Sequence, residues 1–65
     1  MAKYLMAEFK KQAGRAFSFG MAEFTMFGRK FDIKHMHDDE FGIMAGNDEI
    51  VRIKGTAKKY IVVEV

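Results

Sequence analysis

Residues 22–35 read "AEFTMFGRKFDIKH", and the fold turns on how this stretch pairs with itself. If Gly28-Arg29 is a two-residue turn, glycine takes the first central position of a type II′ hairpin. Phe27 then faces Lys30, Met26 faces Phe31, Thr25 faces Asp32, Phe24 faces Ile33 and Glu23 faces Lys34. One face collects Phe24, Met26, Phe31 and Ile33. The other collects Glu23, Thr25, Asp32 and Lys34, with a cross-strand ion pair. Register and chemistry agree on a single buried face, as a half-buried hairpin requires.

The same logic extends toward the C-terminus. "FGIMA" (41–45) and "EIVRIK" (49–54) flank the turn "GND" (46–48), and "YIVVEV" (60–65) follows the loop "GTAKK" (55–59). A three-residue turn sets Phe41 against Ile53 and Ile43 against Val51. A five-residue loop sets Ile53 against Ile61 and Val51 against Val63. The expected inner face is then Phe41, Ile43, Val51, Ile53, Ile61 and Val63. The outer face carries Met44, Ile50, Arg52, Lys54, Tyr60, Val62 and Glu64.

Toward the N-terminus the period changes. "MAKYLMAEFKKQAGRA" (1–16) places Ala2, Leu5, Met6, Phe9, Ala13 and Ala16 on one helical stripe and is rich in good helix formers. Gly14-Arg15 marks the expected end of that helix. From Ala16 the pattern alternates through Phe17, Phe19 and Met21, and Gly20 reads as a bulge or bend. The tetrapeptide "MAEF" recurs at 6–9 and 21–24 in unlike surroundings, which is no repeat architecture. The expected fold is α+β, an N-terminal helix followed by a four- to five-stranded antiparallel meander. The alternative is a small all-β barrel.

Composition sets the limits. A chain of 65 residues is expected to be a single small domain, 1–65. Such a chain buries only about 60% of its unfolded surface, so it needs an efficient core, a metal or a partner subunit. There is no cysteine, which removes disulfides, thiolate zinc sites and cysteine nucleophiles. Seven Phe and two Tyr favour the efficient core. No uninterrupted apolar run is long enough for a signal peptide or a bilayer span, so a cytoplasmic protein with no membrane partner is expected. The formal charge of +2 is too small and too mixed to argue for nucleic acid by itself.

Chemistry concentrates in "HMHDDE" (35–40), which holds both histidines and the longest acidic run. On a strand His35, His37 and Asp39 share parity and are the candidate metal ligands. The hairpin parity favours a plainer reading, with His35 at the edge of the apolar face and His37–Glu40 as a solvated connection. No metal or cofactor is therefore expected. The glycines spell no phosphate-binding motif, and Ser18, the single serine, has no triad context. No enzyme is expected. Two binding readings remain. The first is contact with another protein or a second copy, through Met44, Ile50, Tyr60, Val62 and Phe27 on the outer face and through the edge of the last strand. A small regulator or inhibitor of the phage type is the kind of protein this suits. The second is nucleic-acid binding through Arg29, Lys30, Arg52, Lys54 and Tyr60, cations beside an aromatic.

Overall fold

The structure is a computed structural model that describes residues 3–65. Helix α1 spans Lys3–Ser18, and five strands follow: β1 (Glu23–Met26), β2 (Arg29–His37), β3 (Glu40–Ala45), β4 (Asp48–Gly55) and β5 (Tyr60–Glu64). The strands lie in sequence order in one antiparallel sheet, which curls into a half-barrel. This is the α+β arrangement of helix plus meander, with five strands. Ala2 of the expected stripe lies outside the described residues.

The helix supplies one wall of the core. Phe9, Ala13, Ala16 and Phe17 are buried against Phe24, Phe31, Ile43, Val51 and Ile53 of the sheet. Their spacing follows the helical period, so one face of α1 meets the inner face of the sheet. Phe9 sits edge-on to Phe31 at 4.9 Å and tilted to Phe24 at 5.7 Å, while Phe24 and Phe31 stack at 5.5 Å. Each aromatic buried in this way contributes roughly 1.5–3 kcal/mol of hydrophobic free energy.

The helix does not stop at Gly14-Arg15. The Tyr60 ring lies over Gly14, and a β-carbon there would fall 2.6 Å from the ring and 2.7 Å from its hydroxyl. Gly14 is thus a packing choice inside the helix. The true end is a Schellman cap. Met21 N–H donates to the Ala16 carbonyl and Gly20 N–H to the Phe17 carbonyl, both at 3.0 Å, with Gly20 left-handed at φ +75°. Gly20 is therefore neither bulge nor bend, and the alternation through Phe17, Phe19 and Met21 is the tail of the helix and its cap.

The first hairpin turns one residue earlier than the sequence suggests. Its central residues are Phe27 and Gly28, at φ +59° and +71°. Positive φ at both positions defines a type I′ turn, whose twist matches the flanking strands. Phe24 pairs with Phe31, Thr25 with Lys30 and Glu23 with Asp32. The register slides by two residues, so every side chain keeps its expected face. The ion pair moves with it: Glu23 meets Lys30 at 3.7 Å in place of Lys34. Phe27 pays for this geometry, because a bulky residue at positive φ costs on the order of 1 kcal/mol. Phe27→Asn keeps the turn and relieves the strain. We expect it to raise stability by about 0.5–1 kcal/mol, read as a melting point higher by several degrees.

In the next hairpin Phe41 pairs with Ile53 and Ile43 with Val51, as expected. A β-bulge then intervenes, Met44 pairs with Glu49, and the turn shortens to Gly46-Asn47. Ile50 is the extra residue, and it packs against the core rather than on the outer face. The last strand departs more. Gly55 pairs with Tyr60, so four residues and not five form the loop, and Ile53 pairs with Val62. A slip of one residue exchanges the two faces of a strand. Tyr60 and Val62 therefore join the core, and Ile61 and Val63 turn outward.

Candidate interaction surface

"HMHDDE" closes the β2–β3 hairpin. Asp38-Asp39 is the turn, with Asp38 left-handed at φ +49°, a conformation aspartate tolerates. The ladder shifts between His35 and His37. His35 pairs with Phe41, and its ring lies 4.9 Å from that inner-face aromatic. His37 pairs with Glu40, and its Nε2 lies 3.7 Å from the Glu40 carboxylate on the outer side. The irregularity thus sends the two imidazoles to different sides, and the chelate built from His35, His37 and Asp39 does not assemble. Among the described residues, no three of His, Cys, Asp and Glu come close enough to hold an ion. His35 is also exposed rather than partly buried, and its Nε2 lies 2.7 Å from the Asp38 carbonyl, which closes the turn. The Asp39 carbonyl accepts from Gly55 N–H at 2.8 Å and ties this turn to the end of β4.

The outer face is organised by Arg52. Its guanidinium donates through Nε and Nη2 to the two carboxylate oxygens of Glu49, and through Nη1 to Glu40 at 2.8 Å. This fork satisfies Arg52 inside the molecule, so it is not a free cation for phosphate. The hydrogen bond from Arg52, reinforced by its charge, holds the Glu49 carboxyl below its ordinary value of 4.5. The bonds that Arg52 donates to Glu49, and then to Glu40, raise its own pKa. A depressed carboxyl stabilises the fold fully above its unfolded value and loses that contribution as pH falls through the folded one. Arg52 stays protonated throughout and adds no acid-side dependence. Stability should therefore fall below about pH 4.5, and the fall should be shallower in Glu49→Gln. Thermal melts of both proteins from neutral to acid pH check this.

The remaining cations do not gather round an aromatic. Lys30 is engaged with Glu23, Arg29 and Lys54 are exposed on separate strands, and Tyr60 faces inward. The Tyr60 ring packs edge-on to Phe17 at 5.6 Å. The one-residue slip of β5 is the physical reason, since it takes the aromatic off the cationic face.

The expected protein-contact set is divided in the same way. Ile50, Tyr60 and Val62 are partly buried and pack against the core; Met44 is partly buried without joining that contact, and Phe27 is 49% exposed. Other apolar residues, outside that set, are the exposed ones. Phe19 is 72% exposed and, with Met21, borders an open groove of about 320 Å³ between the end of α1 and β1, lined also by Gln12, Arg15, Phe24 and Thr25. Ile61 is 59% exposed and lies on the outer face with Val63. The signal that could have found Phe19 and Met21 is Gly20. Read as a helix cap, it leaves its neighbours outside the helix face that packs.

The chain matches no protein-family model, and a search of curated proteins and of solved structures finds no match. No helix among the described residues is long and apolar enough to cross a membrane.

Proposed function

We propose that this chain is a non-catalytic binding protein that acts by protein–protein contact, with another protein or with a second copy of itself. Phe27 carries the reading. It is a large aromatic at a hairpin tip, half exposed, in a left-handed conformation that asparagine or glycine would adopt at less cost. Neither burial nor turn geometry favours phenylalanine there. Strain of this kind is characteristic of sites kept for recognition. Exposed aromatics on a rigid support are typical anchors of protein interfaces. The exposed apolar residues Phe19, Met21 and Ile61 add to the same surface chemistry. A small cytoplasmic regulator or inhibitor fits these properties.

Nucleic-acid binding is the alternative, and of its cations it keeps the exposed Arg29 and Lys54, with Lys30 paired to Glu23. Two measurements separate the readings. The first is sedimentation of the chain alone. The second is titration with a generic DNA duplex at about 50 mM and about 200 mM salt. Self-association without DNA affinity supports protein contact. A monomer whose DNA affinity drops steeply with salt overturns it.

A further inference from the structure

We propose that β5 is a self-recognition strand: two copies pair antiparallel along its free edge, with the two-fold axis at Val62. This rests on the protein-contact reading, and it names a partner and a surface separate from the Phe27 tip.

The phase of the ladder decides which groups are free. Thr56 and Lys59 exchange both backbone hydrogen bonds, at 2.8 and 3.1 Å, and so form a hydrogen-bonded pair. Antiparallel pairs alternate between hydrogen-bonded and non-hydrogen-bonded. Counting from Thr56–Lys59, Gly55–Tyr60 is non-bonded, Lys54–Ile61 bonded, Ile53–Val62 non-bonded and Arg52–Val63 bonded. Ile61 and Val63 thus direct their N–H and C=O groups to β4, while Tyr60, Val62 and Glu64 direct theirs away from the sheet. Sheet order leaves β5 at the edge, and among the described residues these outward groups have no backbone partner. The helix meets β5 through side chains on the inner face, Gly14 under Tyr60 and Lys10 with Glu64 at 3.7 Å. Those contacts are perpendicular to the hydrogen-bonding direction.

Natural edge strands are protected by proline, a central lysine, a bulge or short length. β5 reads "YIVVE" and carries none of the first three. At the other edge, β1 has only four residues, with the polar Glu23 and Thr25 on its outer face.

A second copy suits the β5 edge in one register. Pairing must join outward groups to outward groups, so the bonded pairs come from Tyr60, Val62 and Glu64. Centring on Val62 pairs all five residues: Val62 with its own copy, Tyr60 with Glu64, and Ile61 with Val63. The last is an apolar pair at the closer, non-bonded spacing, formed twice. It covers Ile61, which the monomer leaves 59% exposed. Charge favours the antiparallel direction, because the Lys58-Lys59 tip of each copy comes beside the Glu64 end of the other. A parallel pair would set the lysines together. An edge contact of this length falls among small, weak interfaces, so concentration is the variable to scan.

Sedimentation equilibrium of the full chain between about 1 µM and about 1 mM should show the mass rising from one chain toward two. Ile61→Lys/Val63→Lys places lysine opposite lysine twice, and should remain a single chain over that range with an unchanged circular dichroism spectrum. Ile61→Glu/Val63→Glu should do the same, and mixing the two variants should restore dimers. In a mixed isotope-labelled wild-type sample, an intermolecular Hα–Hα contact between Ile61 and Val63 should appear, since that pair is non-bonded. A wild type that stays a single chain overturns the proposal. So does a lysine variant that dimerises as well as wild type, but that outcome leaves the protein-contact reading intact. A single-chain wild type with salt-sensitive DNA affinity overturns both.

Discussion

Phe9→Ala is expected to cost about 3–5 kcal/mol and to leave little folded protein at room temperature. Phe9 is fully buried at the centre of the contact between α1 and the sheet. It is the helix's partner for both Phe24 and Phe31. Truncation removes the ring's transfer energy and opens a void that two stacked rings cannot close by small shifts. A domain of this size has a total stability of about 3–10 kcal/mol, so one such loss consumes most of it. Urea unfolding followed by circular dichroism measures the change. Phe19→Ala is the control: same chemistry, exposed side chain, expected change within about 0.5 kcal/mol. Equal losses in both variants would show that the core does not centre on Phe9.

Gly55→Ala is expected to be comparably severe, at about 3 kcal/mol or more, for a different reason. Gly55 has φ +127°, a region side chains rarely enter. A β-carbon there would run into the Lys59 carbonyl and stand 2.8 Å from the Tyr60 α-carbon. Both obstacles are backbone, so no rotamer change relieves them. Gly55 N–H is also the donor that binds the β2–β3 turn through Asp39. Gly20→Ala separates strain from collision: Gly20 too has positive φ, but nothing lies within 4 Å of its β-carbon position. Its loss should be near 1 kcal/mol. Melting both variants beside wild type gives the ordering, and a Gly20→Ala loss as large as that of Gly55→Ala would contradict the collision argument.

The element order was readable because two periods in the sequence are clean: 3.6 through Phe9, Ala13 and Ala16, and 2 through Phe41, Ile43, Val51 and Ile53. What could not be read was loop length. Each strand's face depends on one integer, and "GTAKK" reads as a five-residue loop unless Gly55 is known to be strand. That single residue moved Tyr60 and Val62 from the expected surface to the core and put Ile61 and Val63 outside. "GR" against "FG" shifted the first turn without changing faces, because the slide was even. "MAEF" shows the limit of local propensity. At 6–9 it is helix, and at 21–24 it leaves a helix cap and enters a strand, yet both phenylalanines reach the same core. The candidate ligands His35 and His37 are parted by an irregularity between them that no side-chain type announces. The apolar surface at Phe19 and Met21 was hidden by reading Gly20 as a strand defect rather than a helix stop.

The sequential strand order has a kinetic consequence. Every sheet contact joins neighbours in the chain, so four hairpins can close one after another at little loop-entropy cost. A closure that spans nearly the whole chain brings α1 to β5, through Lys10 with Glu64 and Gly14 under Tyr60. It repays its entropy last. The sheet should thus be largely formed at the rate-limiting step, with the helix docking on β5 afterwards. Loosening the Gly14–Tyr60 contact would then speed unfolding and leave the folding rate almost untouched.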